Sequence, residues 1–219
     1  MSLLLAVPVK DLVNAKQRLM PALSPPERRE LARAMLEDVL EAAVAALPGA
    51  VLVVTTDPEV QAVARAVGVE CLAESANRGH TAAVAFAQRE AVTRGAARFL
   101  TLPGDVPCVT SREIAALCAT LVEGPGVVFV PSRSGLGTNA ALLVPPDAIP
   151  LTFGEPSFEN HLKTARAAGL TPQVLELPGV GLDVDGPDDL PVLLERGPGT
   201  RSARLLRGFP SGARSAGTR

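Results

Sequence analysis

Short apolar runs alternate along this chain with longer segments of helical periodicity, and that alternation constrains the fold more than any other feature. Leu3–Val9, Val51–Thr55, Val69–Leu72, Phe99–Leu102, Val127–Val130, Ala140–Val144 and Gln173–Leu177 read as strands. Between most of them lies a helix with recognisable ends. Ser24-Pro25-Pro26-Glu27 combines a capping Ser, Pro in the first turn and Glu at the third position, which together start a helix. Apolar positions then recur through Leu31, Met35, Val39, Ala43 and Leu47, and Gly49 ends the segment. Asp57-Pro58-Glu59 opens a second helix that stops near Gly68. Further helices are expected from about His80 to Arg94, from Thr110-Ser111-Arg112-Glu113 to about Val122, over Ser157–Ala168 and over Pro187–Leu194. Strands alternating with helices predict an α/β fold, a mostly parallel mixed sheet flanked by helices.

A chain of 219 residues, 47% hydrophobic, can bury the core of one domain, and that domain is expected over residues 1–195. The net charge of −2 gives no general attraction to nucleic acid or to an anionic membrane. With no Trp, no Tyr and six Phe, a stacking platform for single strands is not expected. Cys71, Cys108 and Cys118 are odd in number and lack metal-ligand spacing, so they read as reduced thiols of a cytoplasmic protein. Met1–Val9 has no basic start and is too short for a signal peptide or a membrane span. After Glu195 the composition changes: residues 196–219 hold six Arg and no acid. That stretch is expected to be a disordered, Arg-rich tail. The alternative is a docking arm for an acidic partner or nucleic acid, with Leu205, Leu206 and Phe209 anchoring it to a neighbouring subunit of a homodimer.

Two acidic turns stand out, each after an expected strand. The first is Gly104-Asp105-Val106-Pro107, and the second is Asp183-Val184-Asp185-Gly186-Pro187-Asp188-Asp189-Leu190. Ligands of open α/β sheets bind beyond the carboxyl ends of the strands. Two carboxylate sites converging there suggest a divalent ion, and hard oxygen donors suggest Mg2+. Asp183 and Asp185 are expected to point to opposite faces of an extended segment, so that at most one meets Asp105 unless the backbone kinks at Gly186. Asp188 and Asp189 read mainly as first-turn acids that complement a helix dipole.

Lys10, Lys16 and Arg18 follow the first strand, where a nucleotide's phosphates would lie, although no glycine-rich phosphate loop is present. Ser132–Asn139 joins two strands through a Gly-rich turn, and Thr138 can donate to an anion. Phe153-Gly154-Glu155-Pro156-Ser157 precedes a helix whose start can bind an anion. His80 and His161 lack sequence neighbours with which to do chemistry, so both are expected to be solvated or on helix surfaces.

Taken in order, Pro8-Val9-Lys10, Ala15-Lys16-x-Arg18-Leu19, Gly104-Asp105-Val106-Pro107, Gly137-Thr138-Asn139, Phe153-Gly154-x-x-Ser157 and Asp183-x-Asp185-x-Pro187-x-Asp189-Leu190 resemble the guanylyltransferases of coenzyme F420 biosynthesis. The resemblance spans about residues 3–195. It implies a Rossmann-like nucleotidyltransferase domain of the glycosyltransferase-A type. It implies GTP as donor and phosphoenolpyruvate or 2-phospho-L-lactate as acceptor; the alternatives are a nucleotidyltransferase or glycosyltransferase of the same fold with a different acceptor, or a non-catalytic nucleotide-binding module. It implies Mg2+ on Asp105 and the Asp183/Asp185 pair, GTP phosphates on Lys10, Lys16 and Arg18, and the acid on Thr138, Gly154 and Ser157. One departure is Gly79-His80-Thr81, where the family pattern has Gly-Leu-Asn.

Overall fold

Val51–Thr55 is buried at all five positions, so this strand (β2) must be covered on both faces, as in a parallel sheet between helix layers. The computed structural model describes residues 2–73, 78–120 and 124–210. Its other strands are β1 (Leu3–Pro8), β3 (Glu70–Ala73), β4 (Arg98–Thr101), β5 (Gly126–Pro131), β6 (Thr138–Val144) and β7 (Gln173–Val174). They form one sheet in the order β3-β2-β1-β4-β6-β5-β7. Among these strands only β6 runs antiparallel to its neighbours, β4 and β5; the remaining pairs are parallel. The expected mostly parallel mixed sheet is therefore the observed one.

The helices are α1 (Pro25–Ala46), α2 (Pro58–Ala66), α3 (His80–Thr93), α4 (Ser111–Thr120), α5 (Ser157–Ala167), α6 (Asp189–Arg196) and α7 (Arg201–Gly208). The expected end of α4 near Val122 lies outside the described residues. Glu27 Oε2 accepts the Ser24 N–H at 2.8 Å, and Thr110 and Glu113 exchange bonds of 3.0 and 3.2 Å, so both capping boxes form as the sequence proposes. On one sheet face, Leu5, Val7, Val53, Leu100 and Leu142 pack with α1, α2, α4, α6 and α7. On the other, Ala6, Val54, Phe99 and Leu143 pack with Ala83, Val84 and Ala87 of α3 and Leu162 and Ala165 of α5.

The C-terminal expectation is corrected. Arg201–Gly208 is a helix, and Ala203, Leu206 and Phe209 belong to the chain's own core rather than to a subunit contact. Asp38 on α1 accepts the N–H groups of Arg201 and Ser202 at 2.7 and 2.9 Å and the Ser202 hydroxyl at 2.7 Å. Composition misled because the apolar positions of α7 form one stripe on an otherwise polar helix, and a stripe needs only one partner surface to dock. Residues 211–219 lie outside the described residues. Leu206→Ala should cost about 2–5 kcal/mol of unfolding free energy, as for other buried leucines; a change near zero in urea unfolding would restore the disordered-tail view.

Candidate functional site

The chain order reverses between β1 and β4. Strands build outward from β1 to β3 and then return to β4, which opens a crevice at the carboxyl ends of β1 and β4. Two polar bonds pin the loop that follows β1. Asp57 Oδ2 accepts the Leu12 N–H at 2.9 Å, and Thr55 Oγ1 donates to the Lys10 carbonyl at 3.2 Å. Leu12 and Leu19 are buried beneath the loop. These anchors hold Lys16 at φ 56°, the one non-glycine left-handed residue among those described, a conformation that persists only where surroundings enforce it.

Lys16 Nζ lies 2.5 Å from Asp105 Oδ2 and 2.7 Å from Asp185 Oδ1, with only 8% of its side chain exposed. Burial opposes its charge, yet the two carboxylates outweigh burial and hold the ammonium above its ordinary pKa. Burial likewise works against the Asp185 charge, but Lys16 and then Arg18 pull its carboxyl below the usual range. Arg18 Nη1 stands 3.8 Å from Asp185 and is largely exposed. Lys10, Lys16, Arg18, Asp105, Asp185 and His80 share one open cleft of about 530 Å³, with Ala32, Met35 and Leu36 of α1 among its apolar walls.

Asp183 and Asp185 do not point to opposite faces. Residues two apart on extended backbone share a face, and Leu182 and Val184 take the buried side. Both carboxylates therefore turn toward Asp105, whose carbonyl accepts the Val184 N–H at 3.1 Å. Asn139 Nδ2 donates to Asp183 Oδ1 at 3.1 Å and to the Val180 carbonyl at 3.0 Å. Burial, with the nearby charges of Asp105 and Asp185 added, pushes the Asp183 carboxyl up despite that bond. Asp189 is more than a helix-dipole acid: its Oδ2 accepts the N–H groups of Asp185 and Gly186 at 3.0 and 2.8 Å, and it pairs with Arg133. Upstream, Glu113 accepts the Gly179 N–H at 2.7 Å. A Cβ at Gly179 would stand 2.3 Å from the Cys108 carbonyl oxygen, so only glycine lets this segment pass.

A second polar group lies on the α5 side. Val130 pairs with Ala140 and Pro131 with Thr138, so Asn139 is the extra residue of a β-bulge in β6. Bulges re-aim side chains. Without it, Thr138 would share the face of Ala140 and Leu142; with it, Thr138 turns to α5 while Asn139 reaches Asp183. Ser157 Oγ accepts the Thr138 N–H at 3.1 Å. Gly154, at φ 111°, lies in the loop that leads into α5 and needs the freedom of glycine there.

His161 corrects another expectation. It is 1% exposed, its Nδ1 lies 2.9 Å from Thr138 Oγ1, and its Nε2 accepts the Thr152 N–H at 3.0 Å. The ring stacks on Phe129 and meets Phe153 edge-on. Burial pushes its pKa down to about 4. His80 is not free in solvent either: it lines the cleft, contacts the Phe153 ring at 4.5 Å, and is held below its usual pKa by burial. Phe153 therefore touches both histidines and links the cleft to the Thr138–Ser157 group.

The structure thus gathers Lys10, Lys16, Arg18, Asp105 and Asp185 in one cleft, sets Asp183 beside them, and places Thr138 and Ser157 together at the next strand. Sequence reasoning missed His161, Asn139 and the backbone-holding role of Asp189. The available signal was spacing: His161 sits one helical turn after Ser157, and Asn139 directly follows Thr138.

A doubly covered, mostly parallel sheet with charged residues at its switch point defines a Rossmann-like α/β domain with a ligand site at its strand ends. The fold is similar to that of a nucleotide-diphospho-sugar transferase from Desulfovibrio desulfuricans, with a TM-score of 0.76, 19% identity and coverage of 94% and 95% of the two chains. Residues 3–212 match the family model described as "Guanylyl transferase CofC like", and the chain belongs to that family. It is 41% identical over 190 residues to the phosphoenolpyruvate guanylyltransferase of Rubrobacter xylanophilus, covering 87% of this chain and 92% of the relative. It is 34% identical over 201 residues to the 2-phospho-L-lactate guanylyltransferase of Methanothermobacter thermautotrophicus, covering 92% and 88%. The family match extends through α7, in keeping with its place in the core.

Burial of neutral His161 makes stability pH-dependent in one direction. A histidine with a lowered folded pKa contributes fully above its unfolded pKa, and that contribution is lost as pH falls. The loss begins near 6.5 and is complete near 4. Over that range, His161→Phe should lose up to about 3 kcal/mol less stability than the unsubstituted chain. Urea unfolding at several pH values checks this, and parallel curves for the two proteins would contradict it.

Proposed function

We propose that the chain transfers GMP from GTP to phosphoenolpyruvate or 2-phospho-L-lactate, releasing pyrophosphate, as a step in coenzyme F420 biosynthesis. The observation that carries this reading is the Lys16 ammonium bridging Asp105 and Asp185 at the switch-point cleft, beside the cations Lys10 and Arg18. Family membership supplies the guanylyl group and the phosphorylated acid.

The acceptor's phosphate attacks the α-phosphorus of GTP in line, and pyrophosphate leaves. A phosphate monoester has a second pKa of about 6, so the nucleophile is largely ionised at neutral pH and needs no general base. The barrier is the approach of two anions. Lys10, Lys16 and Arg18 offset that repulsion by placing positive charge where the phosphates and the departing pyrophosphate lie. Thr138, Gly154 and Ser157 orient the acid, and positioning supplies the remaining acceleration.

The donor set suits Mg2+. Asp105 and Asp185 both contact the Lys16 ammonium, so their hard oxygens are close enough to serve a single cation, and Mg2+ there would take the place of that ammonium. Mg2+ is commonly bound by one or two carboxylates together with substrate phosphates. Asp105 and Asp185 would hold it; Asp183, bonded by Asn139, does not complete a three-carboxylate group with them among the described residues. When bound, the ion supplies charge neutralisation at the phosphates.

Pyrophosphate release with GTP and Mg2+ should depend on one of the two acids, and mass spectrometry should identify the conjugate. Release with neither acid would sink the proposal. Removal of divalent ions by chelation should abolish turnover and its restoration by Mg2+ should be complete; activity that survives chelation would exclude the metal role. Asp105→Ala should lose about a hundred- to a thousandfold in kcat, as expected when a charge-stabilising group is removed, with the fold retained by circular dichroism. Near-normal turnover would remove Asp105 from the site. Ser157→Ala should raise KM for the acid more than for GTP, and the opposite pattern would reverse its assignment.

A further inference from the structure

We propose that His161 is a positioning residue, locked as its Nδ1–H tautomer, which orients the Thr138 hydroxyl so that Thr138 presents its own proton to the bound acid. This inference rests on the acceptor assignment of Thr138 and Ser157 made above.

The hydrogen-bond directions follow from donor and acceptor chemistry alone. The Thr152 backbone N–H can only donate, so the His161 Nε2 that it reaches at 3.0 Å must be the unprotonated nitrogen. A neutral imidazole then carries its proton on Nδ1. That proton faces Thr138 Oγ1 at 2.9 Å, so Thr138 accepts there. The Ser157 hydroxyl approaches the same oxygen at 3.5 Å. With its acceptor sites turned to His161 and Ser157, Thr138 keeps only its own hydrogen to offer elsewhere. A hydroxyl directed in this way is a pre-aimed donor for an anion, and the chain of donors running Thr152, His161, Thr138 polarises it.

Several features keep the ring from turning. Phe129 stacks on it at 5.4 Å and 16°, and Phe153 meets it at 5.2 Å and 72°. The three protein segments held by the ring are those that carry the acceptor residues: the bulged start of β6 with Thr138, the loop before Gly154 through Thr152, and the first turns of α5 with Ser157. Burial holds the imidazole neutral at physiological pH, with a pKa near 4.

Two measurements on the full chain test this. First, ¹⁵N imidazole spectra at pH 7, assigned by the loss of signals in His161→Phe, should show His161 as the Nδ1–H tautomer. An Nε2–H tautomer or an imidazolium would overturn the proposal. Second, steady-state kinetics should separate the substrates. His161→Phe keeps an aromatic ring but removes both polar atoms; it should raise KM for the acid about tenfold, the effect of losing one oriented hydrogen bond, with KM for GTP changed less than about twofold. His161→Asn retains a donor near the Nδ1 position and should recover most of the loss, whereas His161→Gln, which reaches toward Thr152, should not. The Thr138→Val/His161→Phe double variant should be no worse than Thr138→Val alone, because His161 acts through Thr138. A merely structural histidine would instead give additive effects, equal rises in both KM values, or no difference between the Asn and Gln variants, and any of these would overturn the inference. Should His161→Phe fail to fold, the Asn–Gln contrast decides. If the unsubstituted chain is inert with both acids, the proposed function fails first; if it is active and these variants behave otherwise than stated, only the role of His161 fails.

Discussion

One buried ammonium holds the functional end of this molecule together. Asp105 and Asp185 approach closely enough to share Lys16, and two carboxylates at that range repel unless a cation stands between them. The segments they join are 89 and 169 residues from Lys16 in sequence. A charge this buried is tolerated only when fully partnered, and the loop accepts a left-handed backbone at Lys16 to deliver it. The rigid parts around it serve the same end. Asp57 and Thr55 pin the loop, Asp189 holds the backbone at Asp185, and Glu113 holds the segment at Gly179.

The second polar group depends on a single irregularity. In an unbroken β6, Thr138 would face α1, and no side chain at Asn139 could reach Asp183. The bulge exchanges the sides that these two neighbours face, so one turn of chain serves both the acidic cluster and the hydroxyl pair. The two groups are thereby built on one strand and remain in fixed relation. Aromatic contacts reinforce that relation, because Phe153 touches His80 on the cleft side and His161 on the other.

The fold was legible in the residues because its signals are local. Apolar runs such as Val51–Thr55, capping boxes at Ser24 and Thr110, and glycines after helices act over a few residues. Two local signals were misread. Charge density around Arg196–Arg219 hid the apolar stripe of Leu206 and Phe209, whose partner is α1. The Asp183-x-Asp185 spacing already places both acids on one face, and Leu182 and Val184 beside them mark which face is buried.

The site divides along the same line. Sequence alone determined which charged and hydroxyl groups follow the strands. These are the cations after the first strand, the two acidic turns, and Thr138 and Ser157, the latter at the start of α5. It also carried the family resemblance, because order and spacing survive along the chain. Only the tertiary structure decided who meets whom. The sharing of Lys16 by two distant carboxylates, the flip of Thr138 by a bulge, the hold of Asn139 on Asp183 and the burial of His161 all depend on the packing of segments remote in sequence. A hydrogen bond acts over about 3 Å, and no local pattern encodes that proximity.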